Sequence, residues 1–229
     1  MSQRQRGNIL FLILLAVILF AALSYAVTSQ RDGGKNAAPE KLDASISVML
    51  QDASLLEQTI NRLMLVNGCK DTDISFENAT VGGYINPNAN VAGMNKKCHI
   101  FDKAGGGLSW PVRPDGLEHI EGEQVYQFHG TSVVEHVGTP EADLILYLRI
   151  ASEPICAALN KKLMGMDRGG MVENYNNNQH NPFRGVYGGT MSIGDSAISS
   201  TAFPPGHRAG CFYRSQYGSY GFYYVVLAR

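Results

Sequence analysis

The side chains of this 229-residue chain that could do chemistry are hydroxyls, imidazoles, carboxylates and thiols, and only the thiols are spaced informatively. Gly194-Asp195-Ser196 places a serine beside an acid, the composition of a nucleophile turn. It sits late, amid Ser, Ala and Thr, with no general base assignable by spacing and no Gly-x-Ser-x-Gly elbow, so it reads as an ordinary turn. His99, His119, His129, His136, His180 and His207 are scattered and read as exposed or locally hydrogen-bonded. On a strand, His129 and His136 stand an odd number of residues apart and point to opposite faces, which excludes a shared metal unless a bulge intervenes. Glu118, Glu121 and Glu123 around His119 read as a solvated acidic patch in preference to a calcium or catalytic site. Gly105-Gly106-Gly107 lacks the Lys-Ser/Thr sequel of a phosphate cradle and reads as a turn. No catalytic, metal-binding or cofactor-binding residue is assigned, and no enzymatic activity is expected.

The four cysteines, Cys69, Cys98, Cys156 and Cys211, are even in number and belong to a part of the chain that the N-terminus marks for export. An oxidising compartment favours two disulfides, with three connectivities open in principle. Pairing Cys69–Cys98 closes an irregular Gly- and Asn-rich stretch, and Cys156–Cys211 ties a helix to a strand, so these are favoured. A zinc knuckle is disfavoured because no Cys-x-x-Cys occurs.

That export signal is the start of the chain. Arg4 and Arg6 precede a segment without charge up to Arg31, and Asn8–Val27 contains neither Pro nor Gly. Roughly 20 such residues can span about 30 Å as a continuous helix with its backbone bonds satisfied internally. The positive-inside bias leaves the N-terminus cytoplasmic and about 200 residues outside. Three processing routes stay open: a secretory signal cut after Ala26, behind Ser24-Tyr25-Ala26; an uncut membrane anchor; or a cut between Gly7 and Asn8. The third arises because Gly7 stands at the junction of basic leader and apolar segment.

That junction resembles the leader of bacterial type IV prepilins and pseudopilins, in which a dedicated peptidase cuts after such a glycine and the apolar helix stays on the mature subunit. The resemblance covers the first 30 residues or so and, loosely, the plan of the remainder. It implies a mature start at Asn8, a prepilin peptidase as processing partner, and assembly through the helix 8–27 with copies of itself or other pilin-like subunits. Two departures narrow it. The mature chain would begin with Asn8 in place of Phe or Met, and Leu12 stands where the family usually has a Glu that pairs with a neighbour's terminal amine. A minor or tip-like subunit fits these departures better than a bulk subunit.

The organisation expected behind this start is a basic leader over 1–7, a membrane or assembly helix over 8–27, a linker over 28–41 and one exported head over 42–229. The linker combines polar residues with Gly33-Gly34 and Pro39. From Leu42 to Val66, the residues Leu42, Ile46, Met49, Ala53, Leu56, Ile60 and Leu63 recur at alternating spacings of four and three, one stripe of a long helix ended by Gly68. Leu50, Leu55 and Met64 broaden the stripe, which favours packing on the head's own sheet over a coiled-coil seam. Residues 69–122 are expected to form turns and short strands around isolated anchors Phe76, Tyr84, Phe101 and Trp110. Strands are expected over 124–137 and 144–150, a short helix over 152–164, an exposed loop over 174–183, and a hairpin of 211–217 and 220–228 around Gly218-Ser219.

The fold class expected is therefore α+β: an N-terminal transmembrane helix, a flexible joint, and a long amphipathic helix on an antiparallel sheet with a C-terminal hairpin. Removing the three basic and one acidic residue of positions 1–34 from totals of 19 and 20 leaves 16 against 19, a net of −3. That charge gives no footprint for nucleic acid. Tyr213, Tyr217, Tyr220, Tyr223 and Tyr224 read as core and hairpin packing, with a recognition surface as the alternative. The expected place is the inner membrane in a single pass with a periplasmic head, or an extracellular filament after assembly. The function expected is a minor pilin-like or pseudopilin-like subunit of a cell-envelope filament or secretion apparatus. The alternative is a membrane-anchored or secreted periplasmic binding domain with no filament role.

Overall fold

The computed structural model describes residues 11, 13–21, 37–115, 117, 126–150, 152–166, 170–172, 181–188, 191–193, 206–214 and 218–229. The chain divides into two units, Met1–Lys41 and Leu42–Arg229. In the first, residues 11 and 13–21 are helical and every described side chain among them is exposed. Among the described residues no helix is long and apolar enough to cross a membrane, and residues 8–10, 12 and 22–27 of the expected span lie outside them.

Helix α1 (Ala37–Asn67) starts earlier than the periodicity indicates, so residues 37–41, read as the end of the linker, are helical. Pro39 is no obstacle there, because first-turn N–H groups have no partner inside a helix. The predicted stripe faces inward: Ile46, Met49, Ala53, Leu56, Ile60 and Leu63 are all buried, with Leu42, Leu50 and Met64 packed at its margin. Leu55 instead remains exposed. At the C-terminal end Gly68 adopts φ +66°, and the next amide, of Cys69, donates back to the Leu63 carbonyl at 3.2 Å.

The head contains β1 (Gln127–Val134), β2 (Asp143–Ile150), α2 (Glu153–Met164), β3 (Gly170–Val172), β4 (Met191–Ile193), β5 (Ala209–Arg214) and β6 (Ser219–Leu227). The six strands form one sheet in the order β3-β5-β6-β2-β1-β4. Its four central strands are antiparallel, and the expected C-terminal hairpin is the β5–β6 pair. At the edges, the short strands β3 and β4 are added parallel to β5 and β1.

The apolar run of β2 has a simple cause. Leu144, Leu146, Leu148 and Ile150 belong to the core beneath α1 and α2, whereas Ile145 and Tyr147 enter a second core with Phe212, Tyr223 and Val225. Alternate residues point to opposite faces, so a strand covered on both sides reads as a nearly continuous apolar run, interrupted here at Arg149.

Strand β1 is shorter than predicted, and its pairing with β2 shifts register between His129 and Ser132. Gly130 lies in this irregularity, where an added Cβ would come within 2.8 Å of the Tyr187 ring and 3.0 Å of Phe183. His136 falls beyond the strand end with φ +59°, so the face argument for the two histidines does not apply to it.

Between α1 and β1 the described chain forms an irregular lobe with a 3-10 turn at Asp71–Asp73 and one isolated bridge, Ser75 to His99, in place of the expected short strands. Its order comes from side-chain amides and rings. Asn86 is fully buried and donates from Nδ2 to the Thr72 and Ile74 carbonyls at 2.9 and 2.8 Å.

Candidate functional site

The thiols are the sequence candidates that the fold brings together. Cys69 is bonded to Cys98 and Cys156 to Cys211, with Cα separations of 5.8 and 5.2 Å, the favoured connectivity among the three. Both bridges lie in the core. The first joins the end of α1 to the irregular lobe, and the second fixes α2 onto β5.

Of the histidines, expected to be exposed or locally hydrogen-bonded, His136 is exposed and His207 half-buried. His99 and His129 are buried, each with 1% of its surface accessible. Burial pulls the His99 imidazole below its usual range, against the raising effect of Glu77. Burial likewise pulls His129 down to about 3, so the ring is neutral at physiological pH. Its Nδ1 lies 3.1 Å from Thr131 Oγ1. A hydroxyl and an imidazole in contact suggest a nucleophile and base, but a ring with this burial gives a substrate no approach. His119, His180, Glu118, Glu121, Glu123 and Ser196 lie outside the described residues. Among those described, no group of three His, Cys, Asp or Glu could hold a metal ion.

Gly105-Gly106-Gly107 forms a turn: the Gly105 and Gly107 amides donate to the Asp102 carbonyl at 3.0 and 2.8 Å, and Gly106 donates to His99 at 2.7 Å. Arg62 of α1 covers it, donating to the Gly105 and Gly106 carbonyls at 3.3 and 3.1 Å. The carbonyls thus face a cation, the opposite of an amide cradle for phosphate. Of the C-terminal tyrosines, Tyr223 is fully buried and Tyr213, Tyr220 and Tyr224 partly so, while Tyr217 lies outside the described residues. Packing accounts for Tyr223, whose ring lies in the core with its centroid 6.0 Å from that of Phe212.

Three arrangements have no signature in the sequence spacing. The supposedly isolated anchors Phe76, Tyr84, Phe101 and Trp110 pack as one aromatic cluster around Phe128 of β1. Phe183, expected in an exposed loop, is buried against Phe76 with ring centroids 6.1 Å apart. Second, Glu57 of α1 accepts a hydrogen bond from the Tyr224 hydroxyl at 2.7 Å and pairs with Arg208 at 2.8 Å, fixing the helix against β6 and the residue that precedes β5.

Third, a shallow groove of about 340 Å³ runs beside α1, lined by Asp52, Leu55, Leu56, Leu108, Ser109, Trp110, Pro111 and Val112. Val112 is 80% exposed and Leu55 46%, and burial raises the Asp52 carboxyl above its ordinary range. An apolar groove with one acid at its wall suits contact with another polypeptide better than bond-breaking chemistry.

No protein-family model matches this sequence, and neither a curated protein nor a solved structure shows significant similarity to it.

Proposed function

We propose that this chain is a minor pilin-like or pseudopilin-like subunit of a cell-envelope filament or secretion apparatus, working by assembly. The observation that carries the reading is the apolar helical stretch at 11 and 13–21, whose described side chains are all exposed, following Arg4, Arg6 and Gly7. Phe11 and Phe20 are 60% and 75% exposed. Such a surface requires a bilayer or a bundle of like helices around it. The disulfide-bonded α+β head fits an oxidising exterior. In this reading a prepilin peptidase cuts after Gly7, the segment 8–27 holds the subunit in the inner membrane, and self-assembly or assembly with related subunits transfers that helix into a filament core.

The groove beside Trp110 favours a second reading, a periplasmic binding domain held by an anchor or released by signal cleavage. Mass spectrometry of the mature N-terminus separates the two. A start at Asn8 supports the subunit reading. A start at Val27 sinks it, and a retained Met1 favours a plain anchor.

A further inference from the structure

Each disulfide has an asparagine beside it that joins the same two segments without using sulfur. In the C-terminal bridge, Asn160 is fully buried on α2, one helical turn after Cys156 and on the same face. Its Nδ2 donates to the Cys211 carbonyl at 2.7 Å, and the Cys211 amide donates to its Oδ1 at 2.8 Å. The side-chain amide therefore pairs with the backbone of Cys211 as a neighbouring strand would, with both donor and acceptor used. In the other bridge, Asn67 closes α1 two residues before Cys69 and donates from Nδ2 to the carbonyl of Lys97, the residue before Cys98, at 2.7 Å. The Cys98 carbonyl is fixed in turn by the Ser75 amide at 3.0 Å.

We propose that Asn67 and Asn160 are positioning residues for disulfide formation. They dock each cysteine against its partner in the reduced chain and so select this connectivity from the three available. None of these hydrogen bonds involves sulfur, so all can form before oxidation. A contact that holds two thiols in register raises their effective concentration. The co-reactant is an external disulfide of the thiol–disulfide exchange class. One cysteine thiolate attacks it, giving a mixed disulfide and one released thiol. The partner thiolate then attacks the protein sulfur of that mixed disulfide, closing the bridge and releasing the second thiol. The two protons lost by the cysteines end on the two released thiols, and the external disulfide takes up both electrons. Because each bridge joins cysteines consecutive in the chain, an oxidant alone suffices and no reshuffling agent is required.

The test uses the full chain in detergent, equilibrated in mixtures of oxidised and reduced glutathione, trapped by alkylation and peptide-mapped to give an equilibrium constant for each bridge. Asn160→Ala should lower the constant for Cys156–Cys211 about tenfold, the value of a buried hydrogen-bonded amide. It should leave Cys69–Cys98 within about twofold. Asn67→Ala should do the reverse, with a smaller fall. The core variant Ile60→Val, which loosens the fold generally, should lower both constants alike. An unchanged Cys156–Cys211 constant in Asn160→Ala, or equal falls at both bridges, overturns the proposal. Should Asn160→Ala not fold, Asn67→Ala decides: a fall confined to Cys69–Cys98 supports it, and any other pattern sinks it.

Discussion

Phe76 of the irregular lobe lies flat on Phe128 of β1, with ring centroids 4.0 Å apart and planes inclined by 9°. Both rings are fully buried, and Tyr84, Phe101 and Phe183 pack around the pair. A lobe with almost no strand ladder thus docks on the sheet through rings. Phe76→Ala should cost about 3–5 kcal/mol, the range for emptying a buried phenylalanine site. Phe76→Leu should cost clearly less. Denaturant unfolding gives both values, and a loss under about 1 kcal/mol for the alanine variant would show that the lobe is held by other contacts.

How much of this could be read beforehand depends on whether a residue's partners recur at a fixed period. The buried stripe from Ile46 to Leu63 was legible because one helix face repeats every three or four residues. The nearly unbroken run of β2 is legible as a buried strand, although the second layer that covers it, Phe212, Tyr223 and Val225, is not. The lobe was opaque for a physical reason: Asn86 is buried by bonds to Thr72 and Ile74, while Asn95 and Lys96 adopt positive φ of 45° and 58°, and none of this is periodic. His136 is misplaced by the sequence reading because the strand expected to run to 137 ends at Val134 and gives way to a turn, which nothing in the residue types Glu135-His136-Val137 marks. Among the candidate residues, the cysteine pairing is legible as a preference among three connectivities, because one of them closes the irregular stretch and ties a predicted helix to a predicted strand. The ring cluster and the groove draw residues from distant stretches and left no local trace.

Arg229 gathers partners from across the head. Its Nε lies 3.0 Å from Asp71, its Nη2 3.0 Å from Glu141, and its guanidinium carbon 4.0 Å above the Tyr187 ring. Its amide donates to Asp143 at 3.0 Å. Exposed pairs contribute little singly, and a cation over a ring adds about 0.5–1 kcal/mol, so Arg229→Ala should cost about 1–2 kcal/mol. Arg229→Lys should restore less than half, because lysine lacks the planar fork. Denaturation at low and high salt should show the loss shrinking with salt, and a salt-independent loss would assign it to packing alone.

Tyr224 donates to Glu57, and burial foremost, followed by that hydrogen bond and the Glu57 charge, raises its phenol to about 12. The unfolded value is about 10. The folded chain therefore holds the proton more tightly, so this contribution is complete below about pH 10 and is lost as pH rises towards about 12. Burial raises Tyr84 and Tyr223 in the same direction. Melting temperature should fall above about pH 10 together with tyrosinate absorbance, and Tyr224→Phe should flatten part of that fall. Tyrosinate appearing well before unfolding would contradict it.

Gly68 and Gly106 resist substitution for different reasons. At Gly68 an added Cβ meets nothing within 4 Å, but φ is +66°. At Gly106 the Cβ would lie 2.2 Å from the backbone oxygen of Ile100. Gly68→Ala should therefore cost about 1–2 kcal/mol of conformational strain, and Gly68→Asn less, since asparagine tolerates the left-handed region. Gly106→Ala must displace backbone and should cost about 2–3 kcal/mol, with Asn no better than Ala. Equal responses of the two sites to Asn would remove the distinction.

Leu15 sits within the helical stretch 13–21 with its side chain exposed. If that stretch is the centre of a retained membrane helix, Leu15→Arg places a charge where insertion scales assign about 2.5–3.5 kcal/mol of penalty. Leu15→Phe, equally apolar, carries none. Fractionation should show Leu15→Arg lost from the membrane or from any assembly while Leu15→Phe stays. A cleaved secretory signal would give a different pair of results, because its apolar core is needed only during export: Leu15→Arg would lower the yield of exported head, but every exported copy would still lack the segment. The distribution of the variant, read together with its mature N-terminus, therefore distinguishes a helix that serves the finished protein from one that only delivers it.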